Sequence, residues 1–308
     1  MSGSKDQPVR VYAFGDTGGH GIQLFESLTE IGVDLSTYSI PPAVLIVSLG
    51  DLIHKGPDSN ELALTVDRLI ERNPGQWLQV LGNHEFQHLQ GGRFMRPCDC
   101  SPETIAILER WYSEGIARMA WALEDVAPRL WTRSEELPGR GGPVSSLLLT
   151  HAGLTRPIWE SLGRPATATE AAAAIHANRL RYTKSIGEAI QLDLAGAVGP
   201  LWASAAGETF RFWELEHSRT GEPMPFGQLI GHNAPYDFSR GSWWPNVHQS
   251  FRDSAEVLLE ERRTVALLAE SVIVCLDPSY GDELDFSADP RQPYLSFELS
   301  SATRLLES

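Results

Sequence analysis

Six short apolar runs, each followed by a glycine, a carboxylate or a histidine, constrain the fold of this chain more than any other feature. In chain order the runs are VRVYAF, AVLIVSL, WLQVL, SLLLT, FGQLI and VIVCL. Most positions in each run are apolar, without alternation of polar residues, which is typical of strands buried on both faces. Because helix-like segments separate several of them, we predict an α/β fold with a largely parallel sheet in at least its first part.

The segments between the runs predict helices and the domain organisation. Helical patterns occur in IQLFESLTEIG, in SNELALTVDRLIERN and, late in the chain, in SAEVLLEERRTVALLAE. Neither long intervening segment resembles a linker between independent domains, and the sequence has no internal repeat. We predict a single domain over residues 1–308, with two mainly helical insertions at about 91–142 and 156–225.

The charge of the chain excludes some partners. A net charge of −15 argues against binding to a nucleic-acid duplex, because no basic surface would attract the phosphate backbone. A small phosphorylated substrate remains possible, since a metal ion can supply positive charge locally. The N-terminal residues lack the apolar core of a signal peptide and no apolar run could span a bilayer, so we expect a cytoplasmic protein with no membrane partner.

Three cysteines are too few for a disulfide framework. Cys98 and Cys100, in RPCDC, could form half of a zinc site. The remaining cysteine, Cys275, lies inside an apolar run and is predicted to be a core residue. We therefore favour reduced thiols on a loop for the pair.

Metal-ligand side chains follow the apolar runs. In an open α/β sheet, residues just past the carboxyl ends of the strands converge on one crevice. Each such residue alone has an ordinary structural explanation, but together they predict a metal site suited to Mn, Fe or Zn. The glycine spacing of GDTGGHG, by contrast, does not fit a dinucleotide-binding loop. The convergent residues are Asp16, Asp51, Asn83, His84, His151 and His232.

The order of these motifs resembles that of the calcineurin-like metallophosphoesterases. The motifs GDTGGH, GDLIHKGPDS, GNHE, HAGL and GH occur in that order between Gly15 and His232. Within the family, the chain is similar to the branch that includes Ser/Thr phosphoprotein phosphatases and symmetrical diadenosine tetraphosphatases. The resemblance implies a four-layer α/β/β/α sandwich and a centre of two divalent metal ions, with Mn expected first and Fe or Zn as alternatives.

The resemblance also implies a role for each motif residue. One ion would be held by Asp16 and Asp51, and Asp51 would bridge to a second ion held also by Asn83, His151 and His232. A metal-bridging hydroxide would attack phosphorus. His84 would protonate the leaving group. Asp51 would thus serve both metal binding and catalysis, and Asn83 would also contact substrate.

Several positions depart from the family pattern. Gly18 stands where the family has a histidine; His20, two residues on, could instead reach the first metal or could simply lie at the start of the next helix. Lys55 replaces a phosphate-binding arginine and lacks its bidentate fork, although we expect it to contact phosphate. Arg156 and Arg240, after the HAGL and GH motifs, could neutralise a phosphate or could be solvated surface residues.

Two further departures bear on the substrate. His54 stands where protein phosphatases have an aspartate that supports the general acid, and Leu81 stands where they have an arginine. Both favour a small phosphorylated molecule or a nucleotide over a phosphoprotein. We therefore predict a dinuclear metal-dependent phosphoester hydrolase. A Ser/Thr phosphoprotein phosphatase and a catalytically silent protein that binds a phosphorylated partner are the alternatives. The sequence does not indicate an oligomeric state.

Overall fold

Two β-sheets form the centre of the structure, a computed structural model that describes residues 9–89, 100–126, 146–178, 199–279 and 297–301. The strands are β1 Val9–Phe14, β2 Val44–Ser48, β3 Trp77–Val80, β4 Ala117–Arg118, β5 Ala120–Glu124, β6 Ser146–Thr150, β7 Gly227–Ile230, β8 Tyr236–Asp237, β9 Ser242–Trp243, β10 Ala255–Leu258, β11 Arg263–Leu268, β12 Ser271–Cys275 and β13 Phe297–Ser301. All six apolar runs of the sequence form strands, as predicted.

The helices lie between the strands. They are α1 Gly21–Glu30, α2 Ser59–Arg72, α3 Asn83–Leu89, α4 Pro102–Ser113, α5 Arg156–Ser161, α6 Ala168–Ala177, a π-helix Ala205–Phe210, α7 Arg211–Thr220 and α8 Gln249–Ser254. Among the described residues, no helix is both long and apolar enough to cross a membrane.

Parallel strands form the middle of both large sheets. The first sheet has the order β13-β1-β2-β3-β4, in which β1 to β4 run parallel and β13 pairs antiparallel with β1. The second has the order β10-β11-β12-β7-β6-β5, in which β12, β7 and β6 run parallel. The carboxyl ends of the parallel strands therefore meet at one edge of each sheet.

The two sheets pack face to face. Alternate residues of β1, such as Val11 and Ala13, form one apolar cluster with Leu149 of β6 and Val274 of β12. The opposite strand faces, for example Ile46 of β2, pack in a second cluster with helix residues such as Leu28. Because a side chain alternates between faces along a strand, each sheet is covered by the other sheet inside and by helices outside. This arrangement is the expected α/β/β/α sandwich.

The segment 254–270 is a β-hairpin, so the prediction of a helix there was wrong. Strand β10 pairs antiparallel with β11, and β11 pairs antiparallel with β12. The chain turns between the strands through Arg262, whose φ is +42°. Leucine, glutamate and alanine are good helix formers, but helix propensity is a small local preference, and strand pairing with the buried strand β12 outweighs it.

The two predicted insertions differ in content. The described part of 91–142 contains α4 but also β4 and β5, which form the edges of the two sheets, so this segment extends the sheets as well as adding a helix. The described part of 156–225 contains only helices and loops. Cys98 and residues 127–142 and 179–198 lie outside the described residues.

We expect Leu149→Ala to destabilise the fold through the core between the sheets. Leu149 is 0% exposed, so removing its side chain leaves a cavity and should lower the free energy of unfolding by about 2–5 kcal/mol in urea titrations. Leu259→Ala is the matched control: Leu259 is 59% exposed, and its loss should cost no more than about 0.5 kcal/mol. Equal effects of the two substitutions would contradict this account of the core.

Candidate metal centre

Four metal-binding side chains meet at the carboxyl edge of the sheets. Asp16 follows β1, Asp51 follows β2, His151 follows β6 and His232 follows β7. Each residue offers a ligand atom, and these atoms all lie within 4.8 Å of one another. The first three are fully buried and come from positions up to 135 residues apart (16 and 151), so only the fold brings them together.

Backbone amides fix Asp51 in the centre. Its own N–H donates to Glu85 Oε2 at 2.8 Å, and its Oδ1 accepts from the N–H of His84 at 3.0 Å. The backbone of Asp51 is left-handed, with φ +55°, directly after Gly50 at φ +92°. This turn lets the carboxylate point along the edge of the sheet instead of continuing the strand.

Asp16 is held from the other side. Its Oδ1 accepts from the N–H of His232 at 2.9 Å. A Cβ atom at Gly231 would collide with the same Oδ1, so glycine is required by this close approach. Nearby, Asp277 Oδ2 accepts from the N–H of Ala234 at 2.9 Å, which holds a further carboxylate beside the centre.

Asn83 and His84 begin α3 and face the same group. Asn83 Oδ1 lies 3.1 Å from His151 Nε2, and His84 Nε2 lies 3.7 Å from Asp51 Oδ2. The other nitrogen of His151, Nδ1, is 2.8 Å from the carbonyl oxygen of Leu49. That contact orients the His151 ring with Nε2 toward Asn83 and Asp51.

The site combines buried negative charge with histidines. Burial and the Asp277 carboxylate raise the pKa of Asp16. Burial also acts to raise the pKa of Asp51, but His151 and His84 outweigh it and the pKa is lowered. Burial together with the charge of His151 lowers the pKa of His232 to about 3, so this imidazole is neutral and able to ligate.

Burial and neighbouring charges also shift the pKa values of the other two imidazoles, His84 and His151. Burial lowers the pKa of His84 despite the nearby Asp51 carboxylate. For His151, burial acts to lower the pKa, but Asp51 and Asp16 outweigh it and the pKa is raised.

These residues fit divalent metal ions. Two carboxylates buried within a few ångströms repel each other and are costly to hold in a low-dielectric interior unless cations compensate them. Imidazole nitrogens and the Asn83 oxygen complete a mixed oxygen and nitrogen set that suits Mn, Fe or Zn. Asp16, Asp51, Asn83, His151 and His232 would hold the ions.

His20 and Lys55 are two further residues predicted for the site. His20 is buried directly before α1, next to Gly56, and is not part of the four-residue cluster found among the described residues. Its ligation of a metal stays a prediction. The Lys55 ammonium lowers the pKa values of Asp51, His84 and His232, although burial and other charges have larger effects on each. Lys55 therefore lies within electrostatic reach of the centre.

Arg156 forms a separate ion network. Its guanidinium lies 2.6 Å from Glu222 and 3.1 Å from Glu160, and it packs on the rings of Trp159 and Trp213. These contacts account for its burial, and a role for Arg156 in substrate binding stays a prediction.

Arg240 is exposed. It lies 3.4 Å from Asp237, and its guanidinium carbon is 5.9 Å from the ring centroid of Trp244. A role for it in substrate binding stays a prediction.

Glu85 is a positioning residue that the sequence analysis did not single out. Besides the N–H of Asp51, its carboxylate accepts from the N–H groups of Leu52 at 2.8 Å and Gly82 at 3.0 Å. It therefore ties the loop after β2 to the loop after β3. The only sequence signal was its place in GNHE, where it stands two residues after Asn83.

The fold and the site together define an α/β/β/α sandwich protein with a candidate metal centre. The family model for calcineurin-like phosphoesterases matches residues 9–251. The chain belongs to this family.

Individual relatives are distant. An uncharacterized protein of Schizosaccharomyces pombe (strain 972) is 30% identical over 99 residues, which is 30% of each chain. A mutant cold-active protein tyrosine phosphatase superposes with a TM-score of 0.49 at 15% identity, over 89% of this chain and 72% of that one. A protein serine/threonine phosphatase from Saccharomyces cerevisiae gives 0.40 at 13% identity, over 95% and 80%. The family assignment rests on the family model.

We expect Glu85→Gln to loosen the metal centre and destabilise the protein. In the wild type, two carboxylate oxygens accept from these backbone N–H groups, whereas the glutamine amide offers a single oxygen. At least one buried N–H would therefore lose its acceptor, at a cost of about 1–3 kcal/mol. Unfolding in urea and Mn²⁺ titration of the native protein should both show weakening. Glu103→Gln, an exposed glutamate in the first turn of α4, should change neither. Unaltered Mn²⁺ affinity in Glu85→Gln would refute the positioning role.

Proposed function

We propose that this chain is a dinuclear metal-dependent phosphoester hydrolase. The observation that carries the proposal is the convergence of ligand atoms from Asp16, Asp51, His151 and His232 within 4.8 Å. Membership of the calcineurin-like phosphoesterase family supports it. When bound, two divalent ions supply an activated water and neutralise the phosphoryl oxygens.

The protein residues contribute binding and proton transfer. Asp51 is central, because its carboxylate faces both His84 and His151. His84 presents Nε2 to the centre and is the proton donor for the leaving oxygen. Burial lowers the pKa of His84, which favours release of that proton. Asn83, which directly precedes His84, would help to hold one of the ions and would contact a phosphoryl oxygen of the substrate.

The proposed substrate is a small phosphorylated molecule or a nucleotide. Lys55 offers a point charge to phosphate without the fixed fork of an arginine. His54 faces His84, with 3.0 Å between the two Nδ1 atoms, where protein phosphatases have a carboxylate. These two positions separate the chain from the phosphoprotein pattern and favour the smaller substrate.

A substrate screen tests the proposal. Mn²⁺-loaded protein is assayed with p-nitrophenyl phosphate and its bis ester, and then with mononucleotides, dinucleoside polyphosphates, sugar phosphates and phosphopeptides. We expect turnover of a nucleotide or another small phosphoester. Faster turnover of phosphopeptides would favour a phosphoprotein phosphatase. No turnover of any phosphoester with metal bound would favour a silent binding protein.

His84→Ala and Asp51→Ala should fail differently. His84→Ala removes a proton donor, so we expect about 10²–10⁴-fold lower kcat on substrates with poor leaving groups and retained metal. Asp51→Ala removes a ligand, so Mn²⁺ content should fall together with activity. Metal analysis and kinetics on both variants make the comparison. Equal loss of metal in the two would contradict the assigned roles.

Lys55→Gln should weaken substrate binding without loss of metal. Removing the ammonium takes away one charge interaction with phosphate, and we expect kcat/KM to fall about 10-fold or more, in line with a hydrogen bond to a charged group. Lys55→Arg should retain most of the activity. Steady-state kinetics and Mn²⁺ content are measured on each variant. Unchanged kcat/KM in Lys55→Gln would remove this residue from the proposed site.

A further inference from the structure

A second group of metal-binding side chains lies beside the catalytic centre. It consists of His54, His88 and Cys100, whose ligand atoms all lie within 4.8 Å of one another. His54 is buried, and the other two are half-buried. We propose that these three residues bind one divalent ion of the zinc class, separate from the ions of the catalytic centre.

Three different elements bring the ligands together. His54 lies in the loop after β2 with φ +73°, a conformation that an L-residue adopts only when its surroundings enforce it. His88 lies on α3, one turn after His84, and therefore on the same helix face. Cys100 directly precedes Ser101, whose N–H donates to Asn60 Oδ1 at 2.8 Å, so a hydrogen bond to α2 holds the backbone next to Cys100.

The distances suit coordination. His54 Nε2 and His88 Nε2 are 3.0 Å apart. A tetrahedral ion with metal–nitrogen bonds of about 2.0–2.1 Å holds two ligand nitrogens about 3.3 Å apart, so a small ring movement admits the ion. Gln87 Nε2 also lies 2.7 Å from His54 Nε2. His54 Nε2 has a single lone pair, which would have to serve both Gln87 and His88. An ion between the two imidazoles is served by a lone pair from each ring.

The donor set distinguishes this site from the catalytic one. Two imidazoles and a thiolate are zinc ligands, and among the described residues these three would leave a fourth position of the ion to water. The ligands predicted for the catalytic centre are carboxylate, amide and imidazole groups, without sulfur. Because thiolate favours Zn over Mn, the two sites differ in metal preference.

An ion here would also act on His84, a consequence that rests on the proposed function. With Nε2 of His54 bound to metal, the ring proton lies on Nδ1 and is donated to His84 Nδ1, 3.0 Å away. His84 then carries its own proton on Nε2, the nitrogen that faces Asp51. The second ion would therefore fix the tautomer of His84, with the proton on the nitrogen that faces Asp51.

Cobalt spectroscopy on the full chain tests the proposal. Protein stripped with a chelator is titrated with Co²⁺, and thiolate-to-cobalt charge transfer in the near ultraviolet reports ligation by sulfur. We expect the band in the wild type and in Cys275→Ala, and its loss in Cys100→Ala and His88→Ala. After dialysis against Zn²⁺, the wild type should hold one more ion per chain than Cys100→Ala. His248→Ala, at an exposed position, is the matched histidine control.

Separate measurements distinguish failure of this proposal from failure of the proposed function. Mn²⁺ bound to the catalytic centre is followed by electron paramagnetic resonance, and circular dichroism verifies that each variant is folded. A wild type that lacks the cobalt–thiolate band overturns the second site, whether or not Mn²⁺ binds. A band that persists in Cys100→Ala, or equal zinc content in the two proteins, also overturns it. Absence of bound Mn²⁺ would instead count against the dinuclear centre.

Discussion

The burial of two carboxylates side by side is the constraint on which the rest of the structure depends. Asp16 and Asp51 are both almost fully buried. Burial and the Asp277 carboxylate raise the pKa of Asp16, and the nearby Asp51 carboxylate raises it further. Backbone N–H groups donate to both carboxylates, and the His151 imidazole lies within 4.0 Å of each. Cations held between the two acidic side chains would compensate their repulsion, so the electrostatics of the site and the chemistry proposed for it have the same origin.

Parallel strand order makes this burial possible. Because β1, β2 and β3 run parallel, as do β6 and β7, their carboxyl ends deliver ligands to one edge without any ligand lying in a strand. Tight turns complete the arrangement: Gly50 at φ +92° precedes Asp51, and Gly231 leaves room for the Asp16 carboxylate. Glu85 then ties two of the loops together by accepting from backbone N–H groups of both, so that the position of Asp51 depends on α3 as well as on β2.

The parts of the fold that could be predicted are those with a strong local signal. Strands such as β6 contain an unbroken apolar run, and a short run of this kind bounded by glycine and polar residues is typical of a buried strand. The hairpin at 255–268 was missed because its leucine, glutamate and arginine content favours a helix locally, and pairing with β12 decides its conformation. In the site, strand-end ligands were predictable from topology. The bracing by Glu85 depends on the angle at which α3 leaves β3, which no sequence spacing encodes.

One departure from the family pattern, the histidine at position 54, connects the two groups of metal-ligand side chains. A carboxylate at position 54 would meet His84 on one side and would offer no second ring nitrogen to a further partner. The imidazole of His54 has two nitrogens pointing in different directions, one at 3.0 Å from His84 and one at 3.0 Å from His88. In the proposed second site, Cys100 would add a soft ligand from a segment that sequence analysis treated as a loop. The histidine at position 54 thus links the proposed proton donor to the His54, His88 and Cys100 cluster.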